Sequence, residues 1–167
     1  ARGYKVTMVA EDTANWGAAE AQQKMDAWIA AHKNKFNVVI AQNDDMALGA
    51  IESMLTNKYT DDPNDVTKDT NGDGTVLKVP VIGVDGTETG VRSMNENKMY
   101  ATVLQDSIGQ STTAFELVYQ VAANGSAIGY TTKAGLSAAK AVTGEDPVTD
   151  KTILDQCFLV PFKPIVK

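Results

Sequence analysis

The chain has 167 residues, 43% of them hydrophobic and 22% charged; these are ordinary proportions for a globular fold, and the length suits one domain or parts of two. A net charge of −6 provides no basic stripe to neutralise phosphates, which argues against nucleic acid and an anionic membrane surface as partners. No apolar run approaches ~18 residues, so nothing reads as a membrane span, and a single cysteine, Cys157, excludes an internal disulfide.

In chain order, the first two thirds repeat one unit. "YKVTMVA" (4–10) reads as a strand, followed by "EDTANW" and a helix to about His32. On that helix Ala18, Ala21, Met25, Trp28 and Ile29 share a face at spacings of three and four. "NVVIA" (37–41) is the second strand, followed by "QNDD" and a helix with Met46, Ala47, Ala50, Ile51 and Met54 on one side. A polar insertion covers 57–78. "VPVIGV" (79–84) is the third strand, followed by "DGTETG" and a short helix to about Asn95. "MYATVL" (99–104) is the fourth, followed by "QDSIGQ" and a helix over 107–123. Residues 124–150 are rich in Gly, Ala, Thr and Ser and read as a loop. "KTILDQCFLVPFKPIV" resumes strand character, and its prolines Pro161 and Pro164 suit an edge or crossing strand. The start at Ala1 rather than Met reads as a processed or truncated chain.

Strands apolar on both faces, alternating with amphipathic helices, predict an α/β fold with a parallel sheet covered on both sides. Right-handed crossovers put the carboxyl ends of the strands on one edge, where open sheets bind ligands. The residues at that edge are Glu11, Asp12 and Trp16, then Gln42, Asn43 and Asp44, then Asp85, then Gln105 and Asp106. Helix capping explains Thr13, Asp44 and Asp106, since Asp and Thr oxygens take orphan helix N–H groups; Asp45 is a further candidate cap. Asn43, Asp85 and Gln105 stand one residue nearer their strands. A set of amides and carboxylates there offers donors and acceptors to hydroxyls, the chemistry of sugar recognition. Trp16, unlike the core-phased Trp28, opens its helix at the crevice edge, where a flat ring suits the apolar face of a pyranose.

"DTNGDGT" sets Asp69, Asn71 and Asp73 at positions 1, 3 and 5 of an EF-hand-like loop, with Gly74 at 6 and the Thr75 carbonyl next. Leu77 and Pro80 replace the later ligands, so two readings stay open: a calcium (Ca2+) loop completed by a remote carboxylate, or a polar Asn-Gly/Asp-Gly turn. Catalysis has little support. His32 stands beside Lys33 and Lys35, Cys157 sits in an apolar strand, and no phosphate-cradling loop or metal-ligand His spacing occurs.

"DTANWGAAEAQQKMDAWI", "VVIAQNDDMALGAIESM", "VPVIGVDGTETGV" and "ATVLQD" together resemble the periplasmic galactose/glucose-binding proteins, solute-binding proteins of sugar ABC transporters with the type I periplasmic binding fold. The resemblance covers residues 4–123 in order. It implies two α/β lobes joined by hinge strands and closing over one sugar, with this chain the C-terminal portion. Residues 1–105 would be most of the C-terminal lobe, without its first strand and helix. Residues 106–160 would be part of the N-terminal lobe, and 161–167 the returning crossing.

The resemblance implies ligand roles for Trp16 (stacking), Asn43, Asp85 and Gln105. Gln105 falls where galactose/glucose binders have Asn and pentose binders have Gln. Asn37 stands where the family's own calcium site borrows a carboxylate, so a calcium at 69–75 would be a different site. The implied function is capture of a monosaccharide for an ABC importer, outside the cytoplasm (periplasmic or extracellular, with lipoprotein anchoring one form of this) and without enzymatic activity. The implied partners are the sugar, the transporter permease, a chemoreceptor and the rest of the same protein, whose absence predicts weak sugar binding. Open sheet edges allow a homodimer. The alternatives are the effector domain of a LacI-type repressor and a sugar-sensing receptor domain.

Overall fold

The computed structural model describes residues 5–59, 77, 79–127, 130–134 and 163–166. The chain divides into two compact units, Ala1–Leu104 with Lys163–Lys167, and Gln105–Phe162.

In the first unit three apolar strands, β1 (Val39–Ile40), β2 (Val81–Ile82) and β3 (Ala101–Leu104), run parallel in that order. Each is followed by a helix, as expected: α2 (Asp44–Thr56) after β1, α3 (Glu88–Asn95) after β2 and, opening the second unit, α4 (Ser107–Asn124) after β3. α1 (Ala18–His32) precedes β1. β4 (Lys163–Val166) adds to β3 in the antiparallel sense, making the sheet mixed rather than purely parallel. Among the described strands β4 pairs with β3 alone, and Pro164, which has no N–H to donate, opposes Val103 there.

The core lies between the helices and the sheet. Met25 from α1 and Ala47, Ala50, Ile51 and Met54 from α2 pack against Val39, Val81, Met94 and Met99, with Trp28 and Ile29 partly buried around them. α1 and α2 cross very closely. A Cβ on Gly49 would stand 2.0 Å from the Ala18 carbonyl oxygen, so only glycine fits there. Asp26 fastens the other end of the crossing, accepting from Ser53 Oγ at 2.6 Å and Asn57 Nδ2 at 2.7 Å. Phe36 stacks on Tyr59 at 5.2 Å between centroids, and the Tyr59 hydroxyl donates to the Lys33 carbonyl at 2.6 Å.

The expected first strand does not form: residues 5–10 join no ladder, and Val6 and Met8 are 84% and 70% exposed. At β1, Val39 N–H and Ala41 N–H both donate to β2 and its flank, to the carbonyls of Pro80 (3.0 Å) and Ile82 (2.9 Å). Alternation then turns the N–H of Ile40 to the opposite edge, where no described strand meets it. A cavity of ≈ 340 Å³, lined by residues 6–12 together with Val38, Val39, Ile40 and Gln42, lies at this edge. Residues 6–10 line it without pairing to β1, so their strand-prone sequence stays outside the sheet.

The second unit is built on α4. Asp106 caps its start, accepting from the Gly109 N–H at 2.8 Å, and Gly125, at φ 76°, closes it by donating to the Val121 carbonyl. Glu116 of α4 accepts from the Lys133 N–H at 2.8 Å. Only Thr113 of this helix is buried, while Ile108, Phe115, Val118 and Tyr119 are exposed.

Candidate functional site

Three of the four expected ligand residues lie in the first unit: Asn43 and Asp85 follow the carboxyl ends of β1 and β2, and Trp16, which no described strand precedes, is joined to Asn43. Asn43 follows β1 and is the N-cap of α2: its Oδ1 accepts the Met46 N–H at 2.8 Å. This corrects the expectation that Asp44 or Asp45 does the capping. The strand ends one residue sooner than the apolar run, so the cap position falls on Asn43. Its Nδ2 donates to the Trp16 carbonyl at 3.1 Å. Thr13 is not a cap either, because α1 starts later, after Gly17, with no side-chain cap.

Asn43 thereby ties down a strained turn. Asn15 and Trp16 are both left-handed, at φ 45° and 63°, which costs about 1–2 kcal/mol for a residue with a Cβ. The turn closes with Gly17 N–H donating to the Ala14 carbonyl at 2.8 Å. Ala14 is buried, whereas the Trp16 ring is 66% exposed. Trp28, by contrast, packs against the core as expected.

Asp85 follows β2 and is half-buried. Its N–H donates to the Val103 carbonyl at 2.9 Å, and its backbone is held at φ 113°, a rarely populated conformation for a residue with a side chain. Burial, and then the carboxylates of Asp44 and Asp45, push its carboxyl above the ordinary aspartate value. The Asp44 backbone N–H pulls the other way.

Asp44 is fully buried. Its Oδ2 accepts from the Thr87 N–H at 2.7 Å and the Thr87 hydroxyl at 2.9 Å, and its Oδ1 accepts from the Thr102 hydroxyl at 2.6 Å. Thr87 is itself the N-cap of α3, accepting the Gly90 N–H at 3.0 Å. The sequence reading missed this cluster. Its one visible signal is Thr102, a hydroxyl in the otherwise apolar strand "ATVL".

Gln105, the fourth expected ligand residue, is exposed at the start of the second unit. Asp69, Asn71, Asp73 and Thr75 lie outside the described residues, and no metal-ligating cluster occurs among the described ones. The cavity beside β1 has Glu11, Asp12 and Gln42 in its lining but not Trp16, Asn43 or Asp85. It lies at the edge of β1 that meets no described strand. Together Trp16, Asn43 and Asp85 present an exposed aromatic ring, an amide and a carboxylate, a set suited to a polyol and lacking an activated nucleophile.

The mainly parallel α/β unit with this edge defines a lobe of the type I periplasmic binding class. The chain belongs to the family of the periplasmic binding protein domain, whose model matches residues 1–126. It is 32% identical over 128 residues to the D-galactose/methyl-galactoside binding periplasmic protein of Haemophilus influenzae, covering 76% of this chain and 33% of that protein. It is 31% identical over 108 residues to the ribose import binding protein of Escherichia coli, covering 64% of this chain and 30% of that one. Among solved structures it resembles an ABC transporter solute-binding protein of Bacillus halodurans with bound myo-inositol. That match has a TM-score of 0.57 and 29% identity, over 71% of this chain and 35% of the other. The chain thus spans about a third of the length of the curated relatives it matches. These relatives are sugar-binding transport proteins, not enzymes.

Proposed function

We propose that the chain supplies one side of an extracytoplasmic monosaccharide site, glucose- or galactose-like, from which sugar passes to an ABC importer. The observation that carries this reading is the exposed Trp16 ring, fixed in a strained turn by the side chain of Asn43. A protein that only needed packing would bury such a ring rather than strain its backbone to expose it. Trp16 stacks on the apolar sugar face. Asp85 accepts from hydroxyls, and Asn43 offers the second hydrogen of its amide, the first being used on Trp16. Gln105 is a further ligand residue in this reading. Relatives that bind a galactoside, ribose or myo-inositol support a cyclic polyol without choosing among them.

In this reading residues 1–105 are most of the C-terminal lobe, 106–160 part of the N-terminal lobe, and 161–167 a hinge crossing. The rest of the site, and the contacts with permease or chemoreceptor, belong to the larger protein. The segment Asp69–Thr75 binds calcium apart from the sugar, and the open β1 edge permits a homodimer. Calorimetry with D-glucose, D-galactose and D-ribose tests the half-site. The chain alone binds weakly, and micromolar affinity contradicts the reading. Trp16→Ala abolishes the weak binding while changing folding stability by no more than about 0.5 kcal/mol, as expected for an exposed side chain. Unchanged binding removes Trp16 from the site.

A further inference from the structure

We propose that Asp44 is the positioning residue for Asp85: its buried carboxylate holds the 85–87 turn that carries the Asp85 carboxyl. The inference rests on the reading of Asp85 as a hydroxyl acceptor and extends it by identifying what fixes that acceptor.

The turn needs holding. Asp85 and Gly86 stand consecutively at φ 113° and 67°, and only glycine adopts such angles freely. The two amides after Asp85 both lead to Asp44. The Thr87 N–H reaches Oδ2 directly at 2.7 Å, and the Thr87 hydroxyl joins it at 2.9 Å. The Gly86 N–H donates to Thr102 Oγ1 at 3.2 Å, and that hydroxyl donates to Asp44 Oδ1 at 2.6 Å. One residue therefore restrains the turn through its side chain, at Thr87 directly and at Gly86 through Thr102.

The surroundings are shaped for this carboxylate. A Cβ on Gly83 or on Gly90 would come within 2.3 Å of an Asp44 carboxylate oxygen, so both neighbouring elements have glycine where Asp44 enters. Capping does not account for the arrangement, because Asn43 caps α2. A charge buried this deeply is retained only where several donors satisfy it, and here those donors belong to the turn that carries Asp85 and to β3 behind it.

The test reads the backbone of Asp85 by NMR in the chain itself, without ligand. Its three-bond HN–Hα coupling is small at the observed φ and large in ordinary extended backbone. Asp44→Asn keeps the volume but turns an amide N–H₂ toward Thr87 or Thr102, both of which donate. The expected result is a rise in the Asp85 coupling, with the Asp85 carboxyl titration, which Asp44 and Asp45 both face, moving down toward the ordinary value. A folded Asp44→Asn with both readings unchanged overturns the proposal. If that variant does not fold, Thr102→Val decides. It removes the link to Gly86 and leaves Thr87 in place, so a raised coupling supports the positioning role and an unchanged one overturns it. D-galactose and myo-inositol titrations form the separate arm. Asp44→Asn and Asp85→Asn weaken binding alike, by about tenfold or more. Polyols that bind no variant, wild type included, count against the sugar site, while the coupling still reports on Asp44.

Discussion

Asp85 combines a left-handed backbone with a carboxyl pushed above its ordinary value, first by burial and then by Asp44 and Asp45. Because the folded-state value is raised, the folded chain takes up this proton before the unfolded chain does. The ionised carboxylate therefore costs stability at pH above the raised value. That cost fades as pH falls through it toward the ordinary aspartate value of about 3.9. Asp85→Asn, which also tolerates positive φ, should raise the unfolding midpoint near neutral pH, with an advantage that shrinks to nothing in acid. Thermal unfolding across that range checks this, and a gain that grew on acidification would contradict it. The candidate residues at this edge were legible in the sequence because a polar group ending an apolar strand is conspicuous. Their division of labour was not. Asn43 and Asp44 exchange capping and burial on a shift of one residue, and the bond from Thr102 to Asp44 spans 58 positions of chain.

The helices were the most readable elements, since their apolar spacing reflects burial against a face that exists. α1 and α2 bury most of the stripes their spacing predicts, through Ala21 and Met25 in one and Ala47, Ala50, Ile51 and Met54 in the other, while Ala18 is exposed and Met46 half-buried. The strands were read less well. "YKVTMVA" has strand chemistry, but a strand is completed by its neighbour, and residues 5–10 pair with no described strand. The α1–α2 crossing gives a prediction in which two effects compete. In a free helix Gly49→Ala would gain about 0.5–1 kcal/mol. Here the added Cβ would stand 2.0 Å from the Ala18 carbonyl oxygen, backbone that cannot rotate away. Overpacking should win and lower stability by about 1–3 kcal/mol, measured by urea unfolding. A stabilised variant would show that the helices separate at little cost.

For the whole molecule, the governing fact is that the chain spans about a third of the relatives it matches. The proposed half-site and its expected weak binding follow from that. The N–H of Ile40 on β1, which meets no described strand, and side chains such as Val6 and Met8 that are 84% and 70% exposed, favour association through this edge. Light scattering should show a mass that rises with concentration, and Ile40→Lys should reduce the effect. A strictly monomeric wild type would remove edge pairing from the account. The central claim, that the carboxyl edge recognises a cyclic polyol, is tested most directly by mapping amide and indole NMR shifts of the chain while D-galactose, D-ribose or myo-inositol is added. The account predicts shifts centred on the Trp16 indole N–H, the Asn43 side-chain amide and Asp85, saturating only at high sugar concentration. Shifts confined to other residues, or none at this edge with any of the three, would contradict it.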